Sequence, residues 1–294
     1  MQRSSDTHLC ARLLLAGALI ATGALAGCAS TGTTPPSTPL AAWPDRLQAL
    51  LPTDVLLLGE QHDAPEHQRL QRETVLWLAA KGQLAAVVME MAESGHSTQA
   101  LPRDATDAQA QAALQWNDAA WPWKAYGPVV MAAVAAGVPV LGGNLPRAQM
   151  RAAMGEVRWD QHLPAPALAQ QHQALREGHC GLLPESQIAP MARIQIARDA
   201  SMARTAQQAL RPGQTVLLVA GGGHVLRSLG VPTHWPAGLV SKVALAQSGK
   251  APTAIKNEAI KPSDADAVIE TPALPPRDAC AELREKWRSA RPAP

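Results

Sequence analysis

The segment "DVLLLGEQHD" (54–63) decides the fold class, because an apolar run stops at a glycine and polar residues follow it directly. A short, wholly apolar run of this kind predicts a strand that is buried on both faces of a sheet. Four further runs predict the remaining strands: "LAAVVMEM" (84–91), "VPVLGGN" (138–144), "TVLLVAGGGHV" (215–225) and "LVSKVALA" (239–246).

Helices are predicted between these strands. Residues 65–80 carry apolar side chains at three- and four-residue intervals, which is typical of one helix face. The segment 184–210 also has helical spacing, and Pro190 predicts a kink or a new helix start within it. Other helices are expected at residues 127–136, 146–155, 165–178 and 278–290. Strands that alternate with helices predict an α/β fold, with a mostly parallel central β-sheet covered by helices on both faces.

The N-terminus predicts a secreted, lipid-anchored protein. Residues 1–27 combine a basic start, an apolar stretch of about 15 residues and small residues before a cleavage point, as in a signal peptide. The tetrad "LAGC" ending at Cys28 resembles a bacterial lipobox, whose cysteine becomes the lipid-modified first residue. An ordinary secretory signal is the alternative. Residues 28–45 are rich in Ser, Thr and Pro and predict a tether. With Ala29 after the cysteine, we expect the periplasmic side of the bacterial outer membrane.

Composition limits the remaining possibilities. Without residues 1–27 the chain loses two basic residues and one acidic residue, which leaves 24 basic against 23 acidic residues. This balance gives no electrostatic basis for binding nucleic acid. One α/β domain is expected at residues 46–247, and residues 248–294 are expected to form a C-terminal tail without readable structure at 250–277.

Two cysteines remain once Cys10 is removed with the signal peptide and Cys28 is assigned to lipid. Cys180 and Cys280 would then lie in a compartment where disulfides persist. Either both are free, or a disulfide holds the C-terminal tail against the domain, and we favour the disulfide.

Polar residues follow four of the predicted strands. The first strand ends in Glu60, with His62 two residues later, and the second ends in Glu90. The third ends in Asn144 and the fourth leads to His224. Parallel sheets bind ligands at the carboxyl ends of their strands. We therefore expect one pocket with two histidines and two carboxylates, suited either to a divalent metal at His62 and His224 or to acid–base chemistry.

Several segments together resemble one family, the ChaN-like haem-binding lipoproteins, from about residue 50 to 247. They are "LLLGEQHD", "VVMEM", "WPWKAYGPVV", "GVPVLGGNLPR", "GHCGLLPE", "MARIQIARDASMA" and "VLLVAGGGHVLRSLGVP". The resemblance implies haem or iron uptake or storage, and a homodimer that holds ferric haems at its interface. It also implies a haem transporter or receptor as a partner.

The resemblance assigns roles to single residues. Tyr126, the only tyrosine in the chain, matches the family's iron ligand, and Asn144 and Arg147 match its "Asn-x-Pro-Arg" element. His179 is another family histidine, with no assigned role. A phenolate favours ferric iron but needs the metal or a nearby cation to ionise at neutral pH, and Lys124 or Arg147 are expected to supply that cation.

Two other functions stay open. The broader superfamily includes Tiki and TraB-type metalloproteases and erythromycin esterases, so the chain could be a hydrolase rather than a binding protein. Glu60 or Glu90 would then activate water, with His62 and His224 as metal ligands or proton carriers. The third option is a structural envelope lipoprotein with an inactive pocket.

Overall fold

A computed structural model of the protein describes residues 37–249 and 263–289. Its centre is a seven-stranded sheet in the order β1-β7-β6-β2-β5-β3-β4, and every pair of neighbouring strands is parallel. The strands are β1 (Ser37–Pro39), β2 (Val55–Glu60), β3 (Leu84–Glu93), β4 (Val140–Asn144), β5 (Thr215–Gly221), β6 (Ser241–Ser248) and β7 (Ala267–Thr271).

Helices connect these strands. They are α1 (Trp43–Leu50), α2 (Pro65–Ala80), α3 (Asp107–Leu114), α4 (Trp123–Ala136), α5 (Arg147–Gly155), α6 (Ala165–Gly178), α7 (Glu185–Gln208), α8 (Gly222–Val225) and α9 (Ala279–Ser289). Short 3-10 turns lie at Leu40–Ala42, Val157–Gln161 and Val231–His234.

Both faces of the sheet are covered, as the apolar runs require. In β2, Leu56 and Leu58 pack in one core cluster with residues of α1 to α4. Val55 and Leu57 point to the other face and pack with residues of α7. Strand residues alternate between faces, so a strand buried on both sides must be apolar throughout. The predicted α/β class and the parallel sheet are confirmed.

Of the two expectations at Pro190 in helix α7, a kink or a new helix start, the new start does not occur. The helix runs from Glu185 to Gln208 without a new start, and Pro190 lies inside it. The missing N–H falls in the second turn, close to the helix start, where its loss is tolerated more easily than in the centre.

The folded region reaches beyond the predicted domain at both ends. Strand β1 pairs with β7, and Trp43, which was assigned to the tether, is buried with its indole N–H donating to Thr74 Oγ1 at 2.9 Å. Strand β7, within the segment for which no structure was predicted, pairs with β6. The predicted signal peptide 1–27 and the lipidated Cys28 lie outside the described residues.

The predicted disulfide is confirmed. Cys180 and Cys280 are bonded, with their Cα atoms 5.6 Å apart, a usual separation for a disulfide. The bond fastens α9 to the turn after α6. Within residues 37–249 and 263–289, no helix is long and apolar enough to span a membrane.

Candidate functional site

The carboxyl edge of the sheet brings the predicted site residues together. Strands β2, β5, β3 and β4 are neighbours in this order, and they end at or near Glu60, Gly221, Glu90 and Asn144. His62 follows β2, and a Cβ atom on Gly221 would lie 2.9 Å from its Nε2. The two carboxylates and the histidine therefore surround the end of β5.

Glu60 is a buried carboxylate whose oxygens are all engaged. Oε1 accepts hydrogen bonds from Tyr126 Oη and from His62 Nδ1, each at 2.6 Å. Oε2 accepts from the side-chain amide of Gln68 at 2.9 Å and from that of Gln71. Four donors, from the segment after β2, from α2 and from α4, thus meet one carboxylate, which leaves it little capacity to bind a metal ion.

Tyr126 lies inside the core rather than on a surface. Only 1 % of the residue is exposed, and its ring lies 6.0 Å from that of Trp121 and 6.1 Å from that of Trp116. Burial, the charge of Glu60 and the hydrogen bond to that carboxylate raise the pKa of Tyr126 well above the ordinary phenol value. In this arrangement the residue is a neutral hydrogen-bond donor.

His62 is the exposed member of the site. Its side chain is 41 % exposed, and its ring lies edge-on to Trp121 with the ring centroids 4.8 Å apart. Burial opposes protonation, but the hydrogen bond with Glu60 and the charges of Glu90 and Glu60 outweigh it, so the pKa of His62 is raised.

Glu90 is a second buried carboxylate, held by a cation and a backbone amide. Arg198 of α7 donates to Oε1, and Gly221 N donates to Oε2 at 2.7 Å. Burial alone would raise the pKa of Glu90. The charges of His224, Arg198 and His62 and the Gly221 hydrogen bond outweigh this and lower it to about 2. Glu90 is therefore ionised at neutral pH.

Asn144 completes the support of this carboxylate. Its Nδ2 donates to the backbone oxygen of Glu90 at 2.9 Å, and its Oδ1 accepts from Arg198 Nε at 2.9 Å. Asn144, predicted from the resemblance as a cofactor-binding residue, is buried and holds protein groups in place.

His224 faces Glu90 from the short helix α8. Its Nδ1 donates to Asp199 Oδ1 at 2.6 Å, and its Nε2 lies 3.7 Å from Glu90 Oε1. Asp199 is buried, and burial raises its pKa in spite of His224 and Arg198. The site thus holds two carboxylate–histidine pairs, Glu60 with His62 and Asp199 with His224.

A divalent-metal site at His62 and His224 is not supported. In the described part of the chain, no three His, Cys, Asp or Glu side chains are grouped so that they could hold a metal ion. The physical reason is that the nearby carboxylates already accept hydrogen bonds from Gln, Tyr, Arg and backbone donors.

Three predicted residues lie away from this cluster of contacts. Lys124 is exposed on α4, and because it is two positions from Tyr126 the two side chains do not share a helix face. Arg147 is exposed and uses its backbone N–H, which donates to Glu93 Oε1 at 3.0 Å. His179 donates from Nδ1 to the Leu175 carbonyl at 2.8 Å. The expected cation beside the phenol is therefore corrected: Tyr126 faces the anion Glu60.

Sequence reasoning missed four polar residues of the site. Gln68 and Gln71 lie on the buried face of α2, and Arg198 and Asp199 lie on α7. The segment "MARIQIARDASMA" contains the last two residues and contributed to the resemblance. A charged pair at inward-facing helix positions was the available signal, because buried charges need partners.

The fold and the site define a parallel α/β protein with two carboxylate–histidine pairs at the carboxyl ends of its strands. Residues 46–234 match the family model described as "Haem-binding uptake, Tiki superfamily, ChaN". The chain belongs to this ChaN family of haem-binding uptake proteins. No curated protein shows significant sequence similarity to it.

One of three similar solved structures, that of a ChaN protein, supports this fold. ChaN of Campylobacter jejuni, whose structure shows cofacial haem binding, has a TM-score of 0.60 and 23 % identity, covering 76 % of this chain and 89 % of its own. The type III effector HopBA1 has a TM-score of 0.43 and 13 % identity, with 82 % and 96 % coverage. A Bacillus cereus protein has a TM-score of 0.41 and 12 % identity, with 74 % and 71 % coverage.

Proposed function

We propose that this protein binds ferric haem for uptake or storage, at the face where His62 reaches the surface. Membership of the haem-binding uptake family supports the proposal. The observation that locates the proposed binding face is the exposed His62 imidazole, which lies beside Trp121 and contacts the buried carboxylate of Glu60. An imidazole nitrogen is a common ligand of haem iron, and an indole offers a flat apolar contact.

The residues of this face fit part of a haem site. Glu60 and Glu90 outnumber Arg198, so the pocket favours the positive charge of a ferric centre and disfavours the propionates. Bound haem would supply a ferric iron that could accept a ligand from the protein. The aromatic side chains of Trp116, Trp121 and Trp123 are partly buried against the core.

The fit is poor at Tyr126. An iron phenolate needs an ionised oxygen that the metal can reach, whereas this oxygen is buried and donates to Glu60. Ionisation would place two negative charges 2.6 Å apart.

Hemin titration tests the proposed function. The purified chain is titrated with hemin and followed by the Soret band, with heat-denatured protein at the same concentration as the control. We expect a saturable shift that reaches a fixed ratio of haem to chain and is absent from the control. A linear increase that matches the unfolded protein would refute haem binding.

We also propose a lipid anchor at Cys28, on the periplasmic side of the outer membrane. The "LAGC" tetrad after an apolar stretch supports the anchor. The test is fractionation of cells that express the full chain or Cys28→Ser. We expect the unchanged chain in the outer-membrane fraction and the variant outside it, and an unchanged distribution would contradict the anchor.

A homodimer with haem at the interface follows from the proposed function. Haems that face each other require two surfaces, and each chain supplies one, because His62 is the one exposed imidazole among residues 37–249 and 263–289. Sedimentation velocity with and without hemin checks this, with a haem-dependent doubling of mass as the expected result.

A haem transporter or receptor component is the proposed recipient of the haem, and transfer of haem from the loaded protein to such a component tests that step.

Hydrolysis is a second candidate function, which one observation favours. The Asp199–His224 pair places a free imidazole nitrogen 3.7 Å from ionised Glu90, an arrangement suited to proton transfer. Ester and peptide substrates are assayed with the unchanged chain and with His224→Gln. Turnover that disappears in the variant would support this function, and no turnover with any substrate would reject it.

A further inference from the structure

A second cavity, of about 600 Å³, lies on the face of the sheet that α7 covers. Its walls are the last turns of α7, the turn that follows this helix, the edge strand β4 and residues 94–99 after β3. Ala85, near the start of β3, also lines it. Glu90 lies five residues further along this strand, a distance of about 17 Å. A cavity of this volume accommodates a small organic molecule.

The lining of this cavity carries positive charge. It includes the guanidinium groups of Arg204 and Arg211, and none of the described residues that line it is Asp or Glu. Neither arginine side chain has an ion pair or a hydrogen bond within residues 37–249 and 263–289. The C-terminal end of α7 carries a partial negative charge of about one half, which two full positive charges exceed. The planar N–H groups of arginine match the oxygens of a carboxylate or phosphate.

Ser201 adds a buried hydroxyl that no protein group uses. The residue is 5 % exposed and lines the cavity, and its Oγ makes no hydrogen bond in the part of the chain that the structure describes. Thr205, one turn later on the same helix face, differs, because its Oγ1 donates to the Ser201 carbonyl at 3.1 Å. Buried hydroxyls rarely lack a partner, so the Ser201 hydroxyl is available to a ligand in the cavity.

The floor of the cavity is apolar. Ala85 belongs to a buried core cluster, and Leu141, Ala209 and Leu210 pack against that cluster and line the cavity. A ligand with an apolar body gains free energy when it covers this surface, whereas an inorganic ion does not. The combination of an apolar floor and two cations favours an organic acid.

We propose that this cavity binds a small organic acid, whose acid group pairs with Arg204 and Arg211 and whose apolar body lies against Ala85 and Leu141. The Ser201 hydroxyl donates to the same ligand. This site is separate from the proposed haem face, since none of its lining residues takes part in the contacts at the carboxyl ends of the strands. It does not depend on haem binding.

Titration with anilinonaphthalene sulfonate tests the site. This dye is an organic anion with an apolar body, and its fluorescence rises when it is shielded from water. The full chain is compared with a double variant that carries Arg204→Gln and Arg211→Gln. We expect the double variant to bind the dye at least about tenfold more weakly, because it loses charge-assisted hydrogen bonds.

A second double variant is the matched control for the loss of two positive charges. It carries Arg151→Gln on α5 and Arg288→Gln on α9, two exposed residues that do not line the cavity. Its dye affinity is expected to equal that of the unchanged chain. Equal weakening in both double variants would show that net charge alone attracts the dye, and would overturn the site.

Ser201→Ala separates a ligand contact from a structural one. The hydroxyl has no protein partner, so its removal should leave the urea midpoint unchanged or raise it. Dye affinity is expected to fall by about two- to tenfold, as for one lost hydrogen bond. A lower midpoint with unchanged dye affinity would contradict the role given to Ser201.

Competition against the bound dye identifies the acid group. Benzoate and phenyl phosphate carry a carboxylate and a phosphate on the same ring, and benzyl alcohol is the neutral counterpart of benzoate. We expect the two anions to displace the dye, more effectively at low salt because salt screens the charges. The more effective anion gives the class of acid. Displacement by benzyl alcohol as strong as that by benzoate would show that the arginines do not select an anion.

Two further results overturn the proposal. One is a dye affinity in the Arg204→Gln and Arg211→Gln variant that equals that of the unchanged chain, or the absence of dye binding to the unchanged chain. The other is loss of hemin binding in the same variant, which would make this cavity part of the haem site. A chain that binds the dye as expected but binds no hemin would refute the proposed haem function and support the separate site.

Discussion

The phenol oxygen of Tyr126 lies 2.6 Å from Glu60 Oε1, and His62 Nδ1 lies at the same distance from the same oxygen. One residue of this pair of donors is buried and the other is exposed. The carboxylate therefore connects the core of the protein to the surface imidazole. Loss of the buried donor and loss of the exposed donor should consequently have different effects.

Tyr126→Phe is expected to reduce stability. The change removes one hydrogen bond to a buried charged group, which contributes about 1.5–3 kcal/mol. Urea denaturation measures the free energy of unfolding. Thr53→Val is the control, because it removes a buried hydroxyl that donates to the neutral backbone oxygen of Val240. If Tyr126→Phe costs no more than Thr53→Val, the phenol does not stabilise Glu60 as described.

The sequence predicted the carboxylates near the strand ends better than the helix side chains that contact them. Glu60 and Glu90 each end a run of apolar residues, and periodicity shows where such a run stops. Gln68 and Arg198 lie on helices, where helical spacing can mark a position as inward-facing but cannot identify the partner of its side chain. Their contacts depend on how α2 and α7 cross the sheet, which is a property of tertiary packing.

The charge next to Tyr126 is likewise a property of tertiary packing that the sequence does not predict. The sequence identified the phenol as unusual, and Lys124 nearby suggested a cation. The charge beside the phenol is negative because the fold brings Glu60, 66 residues away in the sequence, into contact with Tyr126. Strand β7 is not predicted from the sequence, because a run of five residues carries too little periodic signal.

Arg198→Met is expected to destabilise the protein by about 3–5 kcal/mol, because it leaves the buried Glu90 carboxylate without its cation. Urea denaturation measures the change. Arg193→Met is the matched control on the same helix. Arg193 pairs with Asp160, a carboxylate that is more exposed than Glu90, so a smaller loss is expected. In the double variant Arg198→Met and Glu90→Gln, much of the loss should be recovered. Equal losses in the two single variants would contradict the buried charge.

His67 is expected to make the protein less stable in acid. It is buried, its Nδ1 accepts from Gln61 N at 2.9 Å, and its Nε2 donates to Thr271 Oγ1 at 2.9 Å. Burial lowers the pKa of His67 to about 4, whereas the unfolded chain has about 6.5. Protonation therefore favours the unfolded state. Stability should be complete above pH 6.5 and fall by about 3 kcal/mol as the pH drops through 4.

The measurement is the urea midpoint between pH 7 and 4 for the unchanged chain and His67→Gln. The variant should lose less stability on acidification, because its amide does not titrate. His62→Gln is the control with the opposite sign. The pKa of His62 is raised in the folded protein, so its contribution is present below about pH 6.5 and is lost as the pH rises. Parallel curves for all three proteins would contradict both assignments.

Gly142→Ala is expected to destabilise the edge of the sheet that carries Glu90. A Cβ atom at this position would lie 1.9 Å from the backbone oxygen of Glu93, in the stretch where the register of β3 against β4 shifts between Met89 and Glu93. Backbone atoms cannot turn aside as a flexible side chain can, so the strands must separate. We expect a loss of about 3 kcal/mol and weaker hemin binding, because Glu90 lies within the shifted stretch.

Gly155→Ala is the control: no atom lies within 4 Å of its added Cβ, and the last residue of α5 should gain up to about 1 kcal/mol from the helix preference of alanine. Thermal denaturation of both variants decides the matter, and a Gly142→Ala protein as stable as Gly155→Ala would show that the two strands are not in close contact.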